Sequence, residues 1–142
     1  MDGSTRILIV DDHASVREGV RAFLEIKSEF NVCGEAADGT DAITQAKRLK
    51  PDLIILDLAL PMLNGVEVAS ILRGELPDVK IVAFSMYANE LGRAIKAATR
   101  IDAVLPKSSS LTTLVEMIRQ LVGTPPPITP SEPVNPQSWS PA

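Results

Sequence analysis

A chain of 142 residues, 45% hydrophobic and 23% charged, is long enough for one domain with a real core and too short for two ordinary ones. Its net charge of −4 argues against nucleic-acid binding by this chain alone, because neutralising phosphates needs a basic face. No apolar run approaches the roughly 20 residues that span a bilayer. The N-terminal residues lack the pattern of a secretory signal, and one cysteine, Cys33, permits no internal disulfide, so a cytoplasmic setting is expected.

The first apolar run, "RILIV" (6–10), reads as a strand and stops at two adjacent carboxylates, Asp11 and Asp12. Such acids repel each other unless something positive lies between them, so they either cap the next helix or build a cation site. That helix, "ASVREGVRAFLEIK", carries Val16, Val20, Phe23 and Leu24 on one stripe; His13 is a conceivable metal ligand or proton carrier but is expected as an exposed first-turn residue. A second strand, "NVCGEA" (31–36), holds Cys33 as a small buried hydrophobe, and Asp38 caps the helix "DGTDAITQAKRLK". The third strand, "DLIIL" (52–56), ends at Asp57 and is followed by "LALPMLNG", whose proline and glycine can shape backbone around that acid. The helix "GVEVASILRGEL" leads to the strand "KIVAFS" (80–85), which ends in Ser85. A helix over "NELGRAIKAAT" precedes the last strand, "DAVLP" (102–106), which runs into Lys107. Ser110 then caps a helix with Leu111, Leu114, Val115, Ile118, Leu121 and Val122 on one face.

Composition changes near Gly123. The segment 123–142 holds seven of the eleven prolines, no Lys or Arg, and one acid, Glu132. It is expected to be an extended or disordered tail or linker, and the folded domain to occupy residues 1–122. Three overlapping P-x-x-P patterns fit a solvated linker better than a docking ligand; Trp139 is the residue that could anchor them.

Five strands alternating with helices predict an α/β fold: an open, five-stranded parallel sheet, doubly wound, with helices on both faces. Ligands of such sheets bind at the carboxyl ends of the strands. There the order of the chain collects Asp11, Asp12, Asp57, Ser85 and Lys107. Clustered carboxylates suit Mg²⁺ or Mn²⁺, and beside such a cation one carboxylate can attack phosphorus. Asp57, central and alone, is the expected nucleophile. Asp12 would bind metal directly and Asp11 through water, Lys107 would pair with the phosphoryl group, and Ser85 would hydrogen-bond it. An aspartate-dependent phosphatase of the haloacid dehalogenase type would need an acid at Ala59, and a dinucleotide site would need glycines after Val10; both are missing.

The set "LIVDD", "LIILDLALPMLNG", "VAFSMY" and "LPKS" resembles the receiver domain of two-component response regulators across about residues 5–122. "VDDH" and "FSMY" are most similar to receivers that precede a LuxR-type helix-turn-helix domain. The resemblance implies a flavodoxin-like (βα)5 fold. It makes Asp57 the phospho-acceptor, served by a histidine kinase or phosphotransfer protein, with Asp11 and Asp12 as the acid pair. Ser85 becomes the switch hydroxyl, Lys107 the phosphate-pairing lysine, and the backbone carbonyl of Ala59 a further ligand of Mg²⁺ or Mn²⁺. Chemistry would be limited to the domain's own phosphorylation and dephosphorylation. Val104 stands where receivers carry a Tyr or Phe that turns inward on activation, Arg100 where glycine is common, and Ser108 where many have proline. Ala59 and Tyr87 flank the phosphosite without a group to orient attacking water, so slow self-dephosphorylation is expected. No helix-turn-helix sequence follows residue 122. The expectation is therefore a stand-alone receiver that acts through a protein effector or a second copy. The alternatives are the receiver of a DNA-binding regulator, or a constitutive binding module that lacks the switch.

Overall fold

The computed structural model describes residues 4–61, 64–86, 96 and 100–123. These form, in order, β1 (Thr5–Val10), α1 (Ala14–Glu25), β2 (Phe30–Ala36), α2 (Gly39–Leu49), β3 (Leu53–Leu56), α3 (Gly65–Glu75), β4 (Lys80–Ser85), β5 (Ala103–Pro106) and α4 (Leu111–Val122). The strands make one parallel sheet, as the alternating sequence predicts, and their order is β2-β1-β3-β4-β5. Apart from Lys96 and Gly123, the helix expected over "NELGRAIKAAT", Tyr87 and the proline-rich segment lie outside the described residues.

The strands are apolar throughout because both faces are covered. Ile7, Ile9, Leu53, Ile55, Val82 and Phe84 pack with Val20 and Leu24 of α1 and Leu114, Val115 and Ile118 of α4. Their neighbours Leu8, Val10, Ile54, Leu56, Ile81 and Ala83 point the other way, against Ala42 and Ala46 of α2 and Val68, Ala69 and Leu72 of α3. β2 breaks this alternation. Val32 pairs with Ile7 but Gly34 with Leu8, so Cys33 is an extra residue in the strand. Val32 therefore faces the α1/α4 core while Ala36, four residues on, faces the other. The Cys33 thiol is half-buried and lies 3.5 Å from the Ile7 carbonyl, and burial raises its pKa.

The caps expected at two helices are present. Asp38 accepts from the Asp41 amide at 2.8 Å, and Ser110 from that of Thr113 at 3.1 Å. Two strands start one residue later than the sequence pattern suggests. Asp52 and Asp102 precede β3 and β5, and their carboxylates take the amides of Arg6 and Ile81, each at 2.8 Å. Asp102 also anchors Arg73, whose guanidinium reaches the carbonyls of Pro77, Val79 and Arg100. No helix among the described residues is long and apolar enough to cross a membrane.

Candidate functional site

The parallel ladder continues one residue past β1 and β3: Asp11 donates its amide to Ala36 (3.0 Å) and Asp57 its amide to Val10 (2.9 Å). Backbone pairing thus sets the two acids side by side at the carboxyl edge of the sheet, their side chains only 4% and 3% exposed. Two neighbouring buried carboxylates stay ionised together only beside a positive charge. Lys107, one residue past β5, supplies it, with Nζ 2.7 Å from Asp11 Oδ2 and 3.2 Å from Asp57 Oδ2. Burial opposes its charge, yet the hydrogen bond to Asp11 and the charge of Asp57 outweigh burial and raise the lysine pKa above its usual value. The Lys107 amide also donates to the Ser85 carbonyl at 3.0 Å, which ties the end of β5 to that of β4. Ser85 itself is fully buried opposite Pro106.

The loop after Asp57 folds back on it. The Ala59 amide donates to Asp57 Oδ1 at 3.0 Å, and the Gly65 amide to the Leu58 carbonyl at 2.9 Å. Asn64 and Glu67 form a reciprocal capping box that starts α3 against this loop. Gly65 is required by space: a Cβ there would lie 2.3 Å from Leu58 Cα and 2.6 Å from the Asp57 carbonyl oxygen.

Neither Asp11 nor Asp12 caps α1. His13 occupies the N-cap without a side-chain capping bond, one position before the first turn where it was expected. Its ring is 61% exposed, yet Nδ1 lies 3.0 Å from Asp11 Oδ1 and 3.1 Å from Asp12 Oδ1. Arg17 of α1 donates from Nη1 to the Asp11 carbonyl (2.6 Å) and from Nε to Glu35 (2.9 Å). Arg21 also pairs with Glu35. Burial raises the Glu35 pKa, but its hydrogen bonds to Arg21 and Arg17 prevail and hold it below the ordinary value. Sequence reading weighed His13 as a metal ligand or proton carrier but favoured an exposed first-turn residue, and it passed over Arg17. The pairing of Arg17 with Glu35 follows from the shifted register of β2, which a period-two pattern does not reveal.

The structure thus brings Asp11, Asp12, Asp57 and Lys107 together and places Ser85 at the same edge. Val104 lies further down β5, opposite Ala83, half-buried against the α2/α3 core. Asp11, Asp12, His13 and Asp57 each offer a ligand atom, all within 4.8 Å of one another. The carboxylate oxygens suit a hard divalent cation, so these residues fit the metal that the resemblance implies.

A doubly wound parallel sheet with a buried, lysine-bridged acid pair at its carboxyl edge defines the class: an α/β domain with an acidic, cation-type pocket. The chain belongs to the response regulator receiver domain family, whose profile matches residues 7–119. It is 38% identical over 117 residues to the response regulator protein VraR of Staphylococcus saprophyticus, covering 81% of this chain and 55% of that protein. The chain therefore spans about half the length of the curated relatives it matches. Among solved structures, a two-component response regulator of the LuxR family from Aurantimonas matches with a TM-score of 0.78 and 31% identity, covering 84% of this chain and 86% of that one. The response regulator domain of Thermotoga maritima CheB matches with a TM-score of 0.79 and 26% identity, covering 87% and 99%. Receiver domains of this kind interact with histidine kinases or phosphotransfer partners and bind Mg²⁺ at an acidic pocket.

Proposed function

We propose that the chain is a phosphorylation-controlled switch in which Asp57 accepts a phosphoryl group from the phosphohistidine of a kinase or phosphotransfer protein. The observation that carries this reading is the Lys107 ammonium shared by two nearly fully buried carboxylates, Asp11 and Asp57. A carboxylate oxygen of Asp57 attacks phosphorus, the oxygen–phosphorus bond forms, and the bond to the donor imidazole breaks with the electron pair leaving on nitrogen. Asp11, Asp12 and Asp57, with the Ala59 carbonyl, would hold Mg²⁺ or Mn²⁺, which supplies neutralisation of charge on the phosphoryl oxygens. Lys107 remains charged at neutral pH and pairs with the incoming phosphoryl group, while Ser85 donates its hydroxyl to it.

Intact mass spectrometry after incubation with Mg²⁺ and acetyl phosphate tests this reading. One phosphoryl adduct that disappears in Asp57→Asn is expected. No adduct, together with no binding of beryllofluoride, would leave the constitutive binding module.

A second reading, the receiver part of a DNA-binding regulator, is favoured by the LuxR-family relatives and by their greater length. Phosphorylation-dependent DNA binding by the product of the complete reading frame would support it. In either case the readout does not use the inward-turning aromatic of other receivers, because Val104 has no ring to turn.

A further inference from the structure

The three carboxylates of the pocket are served from two sides. Lys107 occupies the Oδ2 atoms of Asp11 and Asp57, and the Ala59 amide occupies Asp57 Oδ1. Asp11 Oδ1 and Asp12 Oδ1 instead face the imidazole of His13. Packing does not hold that ring: it is 61% exposed and makes no capping bond to α1. Its backbone is held, since the His13 amide donates to Asp11 Oδ1 at 2.9 Å.

We propose that His13 Nδ1 is a ligand of the cation pocket and shifts its preference from Mg²⁺ towards imidazole-accepting metals such as Zn²⁺ and Ni²⁺. The inference rests on the reading that this acidic cluster holds a divalent cation. Two ligands at right angles about a cation, as around octahedral Mg²⁺ or tetragonal Ni²⁺, each about 2.1 Å from the ion, are separated by about 3.0 Å. The separations from Nδ1 to the two carboxylate oxygens, 3.0 and 3.1 Å, have that value. About tetrahedral Zn²⁺ the separation is about 3.4 Å, a difference that a small turn of the exposed ring accommodates. Mg²⁺ gains little from a nitrogen donor and sheds water reluctantly, whereas Zn²⁺ and Ni²⁺ bind imidazole well. An all-oxygen pocket would select among these metals by size and geometry. One with a nitrogen at its rim discriminates by ligand softness as well.

His13 is the only histidine in the chain, so its imidazole signals in a ¹H–¹⁵N spectrum are unambiguous. The complete chain and its His13→Ala variant are titrated with Zn²⁺, Ni²⁺ and Mg²⁺ by calorimetry, and the imidazole is followed by NMR during the Zn²⁺ titration. Zn²⁺ should move the Nδ1 resonance of His13 in a saturable way. His13→Ala should weaken Zn²⁺ and Ni²⁺ at least tenfold and change Mg²⁺ by less than threefold. An exposed ring leaves folding intact when removed, which the amide spectrum of the variant checks. Equal weakening of all three metals, or Zn²⁺ binding without movement of Nδ1, overturns the proposal and leaves the cation pocket standing. Absence of Mg²⁺ and Zn²⁺ binding alike overturns both.

Discussion

Replacing Gly65 by alanine adds one methyl group where α3 meets the loop that carries Asp57. Non-bonded carbons rest at about 3.5 Å or more, so a Cβ 2.3 Å from Leu58 Cα must be relieved by a shift of about 1 Å. The three nearest atoms are all backbone, so no side chain can rotate out of the way. Overpacking of this kind costs ~1–3 kcal/mol, and loss of the Gly65–Leu58 hydrogen bond adds about 1 kcal/mol. Alanine returns ~0.5–1 kcal/mol through helix propensity, which leaves a net loss of about 2 kcal/mol. For a domain of this size the melting temperature should fall by about 8 °C, and phosphorylation by acetyl phosphate should slow as the Asp57 loop moves. Gly19 in α1 is the control, because a Cβ there meets nothing within 4 Å. Gly19→Ala should raise the melting temperature by about 2–4 °C. Thermal denaturation followed by circular dichroism reads both. A Gly65→Ala protein that melts within about 2 °C of wild type would refute the close-approach argument.

Arg73→Ala removes donors to three carbonyls and to Asp102 and should cost ~2–4 kcal/mol in urea denaturation. Arg73→Lys should recover less than half of that, because an ammonium cannot fork between four acceptors. The Glu35 carboxyl titrates below its ordinary value, so its contribution is complete above about pH 4.3 and lost as pH falls through the depressed pKa. The melting temperatures of wild type and Glu35→Gln should therefore differ at neutral pH and converge in acid, the gap amounting to about 1 kcal/mol for these partly exposed pairs. A gap that widens on acidification would contradict the assignment. Phospho-Asp57 should persist for minutes or longer in Mg²⁺, because Ala59 offers no group to orient water; decay within seconds, read by intact mass, would count against this.

The fold was legible because strand parity and burial agree. Ile7 and Ile9 serve one core and Leu8 and Val10 the other, and continuous aliphatic runs announce a sheet covered on both faces. The residues that collect at the carboxyl edge could be read from strand ends alone, since a parallel sheet brings all those ends together. The extra residue at Cys33 could not be read, because an inserted position leaves hydrophobicity unchanged while it turns the rest of β2 over. The partnership of Arg17 with Glu35 was hidden for that reason. His13 was left open for another reason: its place just past the acids also suits a first-turn residue facing solvent, and only the structure shows Nδ1 at 3.0 and 3.1 Å from Asp11 and Asp12.

Three arginines, Arg6, Arg73 and Arg119, bind at the end of the sheet opposite the acids. Arg6 binds the Leu49 and Lys50 carbonyls, Arg73 spans from α3 to β4 and β5, and Arg119 of α4 grips Glu29 just before β2. The described domain thus has a clamped end and an acidic end, separated by the length of its strands. The clamps share no residue with the contacts among the acids. Under the proposed function, the acidic edge would change its charge and its occupants repeatedly while the other end keeps the strands in register, much as a vice holds a workpiece by the end that is not being cut.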